Sequence, residues 1–269
     1  MKGLTIKITS LFLLLITLNS CSSFQRALKS EDMEVKLAEA TKQFNKKKYQ
    51  KVIRLSEQMV SNYKGRPEGE DMFYMFANSY YKTEQFYLAN YQFESFVSNY
   101  PASKNVEECA FLGAKSYTKL SPRYSLDQED TLKAIDRLQL FIDTYPNSSY
   151  MTEANQLMTV LREKLEKKYF EIAKQYFQIS DYASAMVNLD NFINDFPGTR
   201  YKEEALFIRL KAAYFYAINS VQNKMGDRLK NAKVAYNTLI KFNANTTYKS
   251  KADEMLVRIE TDLKPFLNK

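Results

Sequence analysis

Large apolar residues recur three and four positions apart along most of this chain. Between residues 73 and 101 the run reads Phe73, Phe76, Ala77, Tyr80, then a break, then Ala89, Phe93, Phe96 and Tyr100-Pro101. That spacing puts one apolar stripe on each of two helices, and the break folds them against each other. Ala77 and Ala89 allow close approach of the two helices, and Pro101 stops the second. One hairpin of this kind cannot bury its own apolar face, so more copies are expected.

Five segments align without gaps on the loop that follows each second helix. They begin at Met59, Phe96, Phe141, Phe192 and Leu239. A loop copied five times at long intervals predicts a helical array. The first repeat pairs Leu37, Ala40 and Phe44 with Val52, Leu55 and Met59. The third pairs Ala110, Ala114 and Tyr117 with Ala134, Leu138 and Phe141, with extra residues from Leu120 to Gln128 between its helices. The fourth pairs Tyr169, Ile172, Ala173 and Tyr176 with Ala185, Leu189 and Phe192, and no Gly or Pro interrupts the run from Met151 to Ile179. The fifth pairs Phe207, Leu210 and Tyr214 with Ala232, Tyr236 and Leu239. Leu256, Ile259 and Leu263 then form one face of a closing helix. The expected fold is all-α, a tetratricopeptide-like array of helical hairpins with about five repeats and a C-terminal capping helix. Residues 31–148 hold repeats one to three. Residues 149–269 hold repeats four and five, the long connecting helix and the cap.

Composition changes this picture little. Hydrophobic residues make up 45% of the 269, enough for a continuous core, and Gly and Pro number only 6 each. There is no His, which removes the commonest general base and metal ligand. No paired carboxylates or nucleophile constellation stand out, so the reading is a binding surface and not an enzyme, with no catalytic residue, no metal and no cofactor. The formal charge of +8 reads as a solvated face and not as a nucleic-acid footprint. Cys109 falls at a small core position and reads as a buried hydrophobe.

The N-terminus narrows the setting. Lys2 and Lys7 precede an apolar run from Ile8 to Leu18, too short to span a bilayer. It ends Leu18-Asn19-Ser20-Cys21, which resembles the bacterial lipobox. The resemblance implies a signal peptide over 1–20, cleavage before Cys21, and covalent diacylglycerol and N-acyl lipid on Cys21, enough acyl chains for stable anchoring. Residues 21–30 then read as a lipidated polar tether.

Tyr74, Tyr81, Tyr87 and Tyr91 fall between the core positions of the second repeat, so they are candidates for a groove that takes apolar or extended peptides.

A lipobox followed by five uneven hairpins, with an insertion Ser121-Pro122-Arg123-Tyr124-Ser125-Leu126-Asp127 in the third, resembles the BamD family, the lipoproteins of the outer-membrane β-barrel assembly machine. Arg123 and Asp127 match charged positions of that family's insertion, which implies a partner-contact loop of Arg123, Tyr124 and Asp127. The family also implies a lipid-anchored scaffold on the periplasmic face of the outer membrane. Its implied partners are the barrel-forming subunit with its periplasmic domains, other assembly lipoproteins, unfolded outer-membrane proteins, and the membrane through the anchor. The alternative is a repeat lipoprotein that organises cell-wall synthesis or envelope bridging.

Overall fold

The computed structural model describes residues 23–267. The signal segment and Cys21 lie outside the described residues. Within them the secondary structure is twelve α-helices and two short 3-10 turns, with no strand. In chain order these are α1 (Ser23–Lys29), α2 (Met33–Asn45), α3 (Tyr49–Tyr63), α4 (Glu70–Lys82), α5 (Phe86–Asn99), α6 (Val106–Leu120), α7 (Glu129–Thr144), α8 (Met151–Gln178), α9 (Tyr182–Asp195), α10 (Lys202–Ile218), α11 (Gln222–Phe242) and α12 (Lys249–Leu263). The hairpins α2–α3, α4–α5, α6–α7, α8–α9 and α10–α11 are the five repeats, and α12 follows as the closing helix. The all-α, tetratricopeptide-like reading of the periodicity is what the chain folds into.

The tight hairpin turns share one backbone device. Lys47, Glu84 and Ser180 each take a left-handed conformation, with φ of 55°, 60° and 65°. The next amide reaches back five residues: Lys48 N donates to Gln43 O at 2.9 Å, Gln85 N to Tyr80 O at 3.0 Å, and Asp181 N to Tyr176 O at 3.0 Å. This is the Schellman ending, which satisfies carbonyls that a helix terminus would leave bare.

The second helices of repeats two, three and four end alike. Tyr100, Tyr145 and Phe196 leave helical geometry and donate their amides to Phe96, Phe141 and Phe192. Each is followed by proline, whose ring drives the preceding residue out of the α region.

The loop then closes on the repeat it leaves. Ser103 donates to Glu70 Oε1 at 2.6 Å, Ser148 to Glu107 Oε1 at 2.5 Å, and Thr246 to Glu203 Oε1. Each of these glutamates sits in the first turn of the repeat's first helix. In repeats three, four and five an aromatic ring of the loop stacks on the repeat's first helix, two residues beyond the hydroxyl in repeats three and five. Tyr150 lies on Phe111 at 4.7 Å and 13°, Tyr201 on Phe170 at 4.8 Å and 13°, and Tyr248 on Phe207 at 4.5 Å and 12°. These stacks set the register of the fifth repeat: Phe207 is the counterpart of Phe111 and Phe170, so Leu206, not Phe207, stands where Ala110 and Tyr169 do.

The chain divides into two compact bodies. The first holds residues up to Pro122 together with Gln128–Leu161, and the second holds Arg123–Asp127 together with the chain from Arg162 onward. Phe93, Phe96, Leu55, Met59 and Met72 fill one core of the first body, and Phe111, Leu138 and Phe141 another. In the second, Leu210, Leu229, Leu239 and Ile259 pack together, with a smaller cluster around Phe170, Leu189 and Phe192.

The stretch expected to be a polar tether carries helix α1. Phe24, Ala27 and Leu28 supply an apolar face three and four apart, and Phe24 and Ala27 are buried. Beneath it the first repeat has polar residues where the second has Phe73, Phe76 and Tyr80. These are Lys36, Glu39 and Gln43, all buried. Lys36 is bonded to Gln58. Glu39 accepts from Gln43 at 2.6 Å and Ser23 at 3.0 Å, and pairs with Lys42 at 3.1 Å. Burial penalises the Glu39 charge, but those donors outweigh it and hold its carboxyl below the ordinary value.

Two expectations follow. Phe111→Ala removes a ring that packs against both Phe141 and Tyr150, and it should cost about 3–5 kcal/mol in urea unfolding, while Tyr91→Ala on the surface should stay within about 0.5 kcal/mol. The hydrogen bond from Thr246, against a smaller opposing burial effect, holds the Glu203 carboxyl below its ordinary value of 4.5. A depressed carboxylate contributes stability above 4.5 that disappears as pH falls through its lower folded value. Thr246→Val should therefore flatten the acid limb of a melting-temperature profile, and an unchanged limb would show that the contact is energetically silent.

Candidate functional site

The four groove candidates divide into two pairs. Tyr74 and Tyr81 lie on α4, half-buried at the edge of the first body's core. Tyr74 is the repeat counterpart of Phe111, Phe170 and Phe207. Its ring meets Phe96 edge-on at 6.2 Å, and its hydroxyl donates to Glu108 Oε2 at 3.0 Å. Burial and then the Glu108 charge push its pKa up. Tyr81 packs edge-on against Phe86 at 5.6 Å and Phe93 at 6.3 Å, and burial raises its pKa as well.

Tyr87 and Tyr91 lie one turn apart on α5 and are 58% and 63% exposed. Leu88 is exposed beside them. The Tyr87 hydroxyl donates to Asp130 Oδ2 at 2.7 Å, and that hydrogen bond raises its pKa. The structure therefore does not gather the four rings on one face: two are packed into the repeat and two form a small exposed aromatic patch.

The insertion runs between α6 and α7. On the first body's side, Ser121 and Thr131 share a hydrogen bond of 2.6 Å, and Thr131 donates to Gln128 Oε1 at 2.8 Å. The segment Arg123–Asp127 belongs to the second body. There Lys168 donates to the carbonyl of Leu126 at 2.6 Å, and the Lys167 ammonium lies 4.3 Å from the centre of the Tyr124 ring. A cation over a ring face is worth about 0.5–1 kcal/mol at an exposed site. Arg123 and Asp127 are exposed and Tyr124 is half-buried. Tyr124 is held against α8 by the Lys167 contact. Its lysine partner lies more than forty residues away, so no local sequence pattern announces the pair.

Cys109 is fully buried, and burial raises its thiol pKa, which suits the small-hydrophobe role. Among the described residues, no group of three or more acidic or cysteine side chains is placed to hold a metal ion. No described helix is long and apolar enough to cross a membrane.

The profile of the family described as outer membrane lipoprotein, YfiO, matches residues 30–227. The chain is similar to the outer membrane protein assembly factor BamD of Neisseria meningitidis serogroup A, at 25% identity over 187 residues, which is 66% of this chain and 70% of that protein. It is similar to the protein of the same name from Caulobacter vibrioides, at 24% identity over 148 residues, 55% of this chain and 48% of that protein. A third, from Pasteurella multocida, is 20% identical over 186 residues, 65% of this chain and 72% of that protein. The chain thus spans about half of the Caulobacter relative and somewhat over two thirds of the other two. With that match running from the start of the first repeat into α11, the chain belongs to the YfiO family of outer membrane lipoproteins.

Proposed function

We propose that this protein is a non-enzymatic scaffold in the assembly of outer-membrane β-barrel proteins, anchored by lipid on Cys21 at the periplasmic face of the outer membrane. The observation that carries the reading is the family match over residues 30–227, together with relatives that bear the name of an outer membrane protein assembly factor. The fold supports it chemically. Stacked hairpins offer extended surface without a catalytic cleft, and a chain with no His lacks the commonest general base.

The partners we assign are the barrel-forming subunit with periplasmic domains, other assembly lipoproteins and unfolded outer-membrane proteins. The exposed Tyr87–Tyr91 patch is suited to aromatic or extended segments, since rings offer contact area at low entropic cost. The Arg123–Asp127 loop is the proposed partner contact.

Affinity purification from detergent-solubilised membranes should recover a large β-barrel protein with periplasmic domains; recovery of cell-wall enzymes alone would reject the assembly role. Cys21→Ala should move the protein to the soluble fraction, and retention on membranes after a high-salt wash would reject the anchor. Arg123→Glu should reduce recovery of that partner with little change in melting temperature. An equal loss of thermal stability would instead make Arg123 a structural residue.

A further inference from the structure

The first repeat distributes its charge unevenly. Between Lys42 and Arg54 the chain carries Lys42, Lys46, Lys47, Lys48, Lys51 and Arg54, and no acidic residue. Glu31, Asp32 and Glu34 lie at the opposite end of α2, around its N-terminus. The other tight turns supply the comparison. In register with Lys46, Lys47 and Lys48 stand Thr83, Glu84 and Gln85 in the second repeat, and Ile179, Ser180 and Asp181 in the fourth. The three lysines are exposed, and among the described residues none of them enters an ion pair.

Local folding does not ask for lysine here. Lys48 is the N-cap of α3 and makes no side-chain bond to it. Its counterpart Asp181 caps α9 by accepting from Ser184 N at 3.1 Å. A cation beside a helix N-terminus opposes the helix dipole, and three adjacent like charges repel one another. The turn thus gives up local stability to hold positive charge.

The start of α1 is fixed at this same end of the repeat. Ser23 Oγ accepts from Lys42 Nζ at 2.8 Å and donates to Glu39 Oε1 at 3.0 Å. The Phe24 ring centre lies 4.9 Å from Lys51 Nζ and 5.6 Å from the Arg54 guanidinium carbon. Arg26 and Lys42 edge a shallow cleft between α1 and α2. Lys46 follows Lys42 by four residues, about 6 Å along the helix axis. Cys21 precedes Ser23 by two residues, a chain reach of about 7 Å. Whatever holds Cys21 therefore holds the basic end of the repeat. Acyl chains on Cys21 would bring that end under the influence of the bilayer's surface charge, which acts over a Debye length of about 10 Å at 0.1 M salt.

We propose that the Lys46–Lys48 turn, with Arg26, Lys51 and Arg54, is a second membrane contact, a basic surface that lies on the phosphates of anionic lipid headgroups beside the anchor. It rests on the anchor reading above and deepens it: the acyl chains set the distance from the bilayer, and the basic surface sets which face of the first repeat is turned to it. Lysines and arginines near an anionic surface add their attractions, and a basic patch reinforces an acyl anchor.

The test omits the acyl chains, so this surface and the anchor fail separately. Residues 22–269, which include every described helix, are sedimented with vesicles of phosphatidylcholine alone or with about one third phosphatidylglycerol, in about 0.1 M salt. Binding to the anionic vesicles and not to the neutral ones is expected. Lys46→Gln, Lys47→Gln and Lys48→Gln together should weaken it at least about tenfold. The control combination Lys224→Gln, Lys241→Gln and Lys251→Gln removes the same charge from exposed positions of α11 and α12, and should change binding by less than about twofold. Arginine at positions 46, 47 and 48 should preserve binding. The glutamine variant of the turn should melt no lower than the parent, because it relieves repulsion, and this separates loss of the surface from loss of the fold. Absence of binding to anionic vesicles would overturn the contact, as would equal weakening by the two glutamine combinations, which would assign binding to net charge. Inorganic phosphate should displace the protein no better than sodium chloride at equal ionic strength; stronger displacement would overturn the lipid surface in favour of a site for a single phosphate ion. The high-salt wash of the Cys21→Ala experiment screens this contact, so retention there reports on the anchor alone.

Discussion

A helical hairpin leaves one apolar face uncovered, so everything here depends on the joint between one repeat and the next. The joint has two parts. A loop hydroxyl reaches back to a glutamate at the start of the repeat's first helix, and a loop tyrosine lies flat on an aromatic ring of that helix. The hydroxyl ties the loop to a charge at a helix N-terminus, where a carboxylate is already favoured. The ring covers the adjacent apolar face. Polar and apolar contacts therefore fix the same loop from two sides, and each repeat is positioned by a segment that also launches its successor.

This joint explains what the sequence made easy to read. The copies of one loop stand out because its positions are used: proline after the helix end in repeats two to four, a hydroxyl in repeats two to five, and a ring in repeats three to five. The hairpins stand out because Phe93, Phe96 and their counterparts must face inward at fixed spacing. The harder parts depend on contacts between distant residues. Tyr74 reads as off-pattern when counted from Phe73, Phe76 and Tyr80, yet the stack of Phe111 on Tyr150 identifies it as the ring position of the second repeat. The fifth repeat slips by one residue for the same reason, since Leu206 and Phe207 are both large and only the partner Tyr248 distinguishes them. Phe24 was hidden by a short polar stretch whose single apolar face matters only once α2 and α3 lie beside it.

The candidate sites were less legible still. Tyr124 depends on Lys167, and Tyr87 on Asp130, pairs whose members are more than forty residues apart. The Lys46–Lys48 turn carries no motif at all. Its signal is comparative: three lysines where the aligned turns have Thr83, Glu84 and Gln85, or Ile179, Ser180 and Asp181. An internal repeat supplies its own reference set, so a departure at adjacent positions of one turn is visible once the hairpins are placed in register.

The left-handed turns at Lys47, Glu84 and Ser180 bear on how far selection has refined this chain. An L-residue in that conformation costs about 1–2 kcal/mol. Glycine would remove the cost but would return roughly 0.4–1 kcal/mol of freedom to the unfolded chain. The difference, from about zero to about 1.6 kcal/mol at each turn, is an unused margin repeated at three equivalent corners of the fold. A protein that leaves the same small gain untaken three times is held at adequate rather than maximal stability, and the corners at Glu84 and Ser180 are where a more heat-tolerant form could be built without touching a candidate surface.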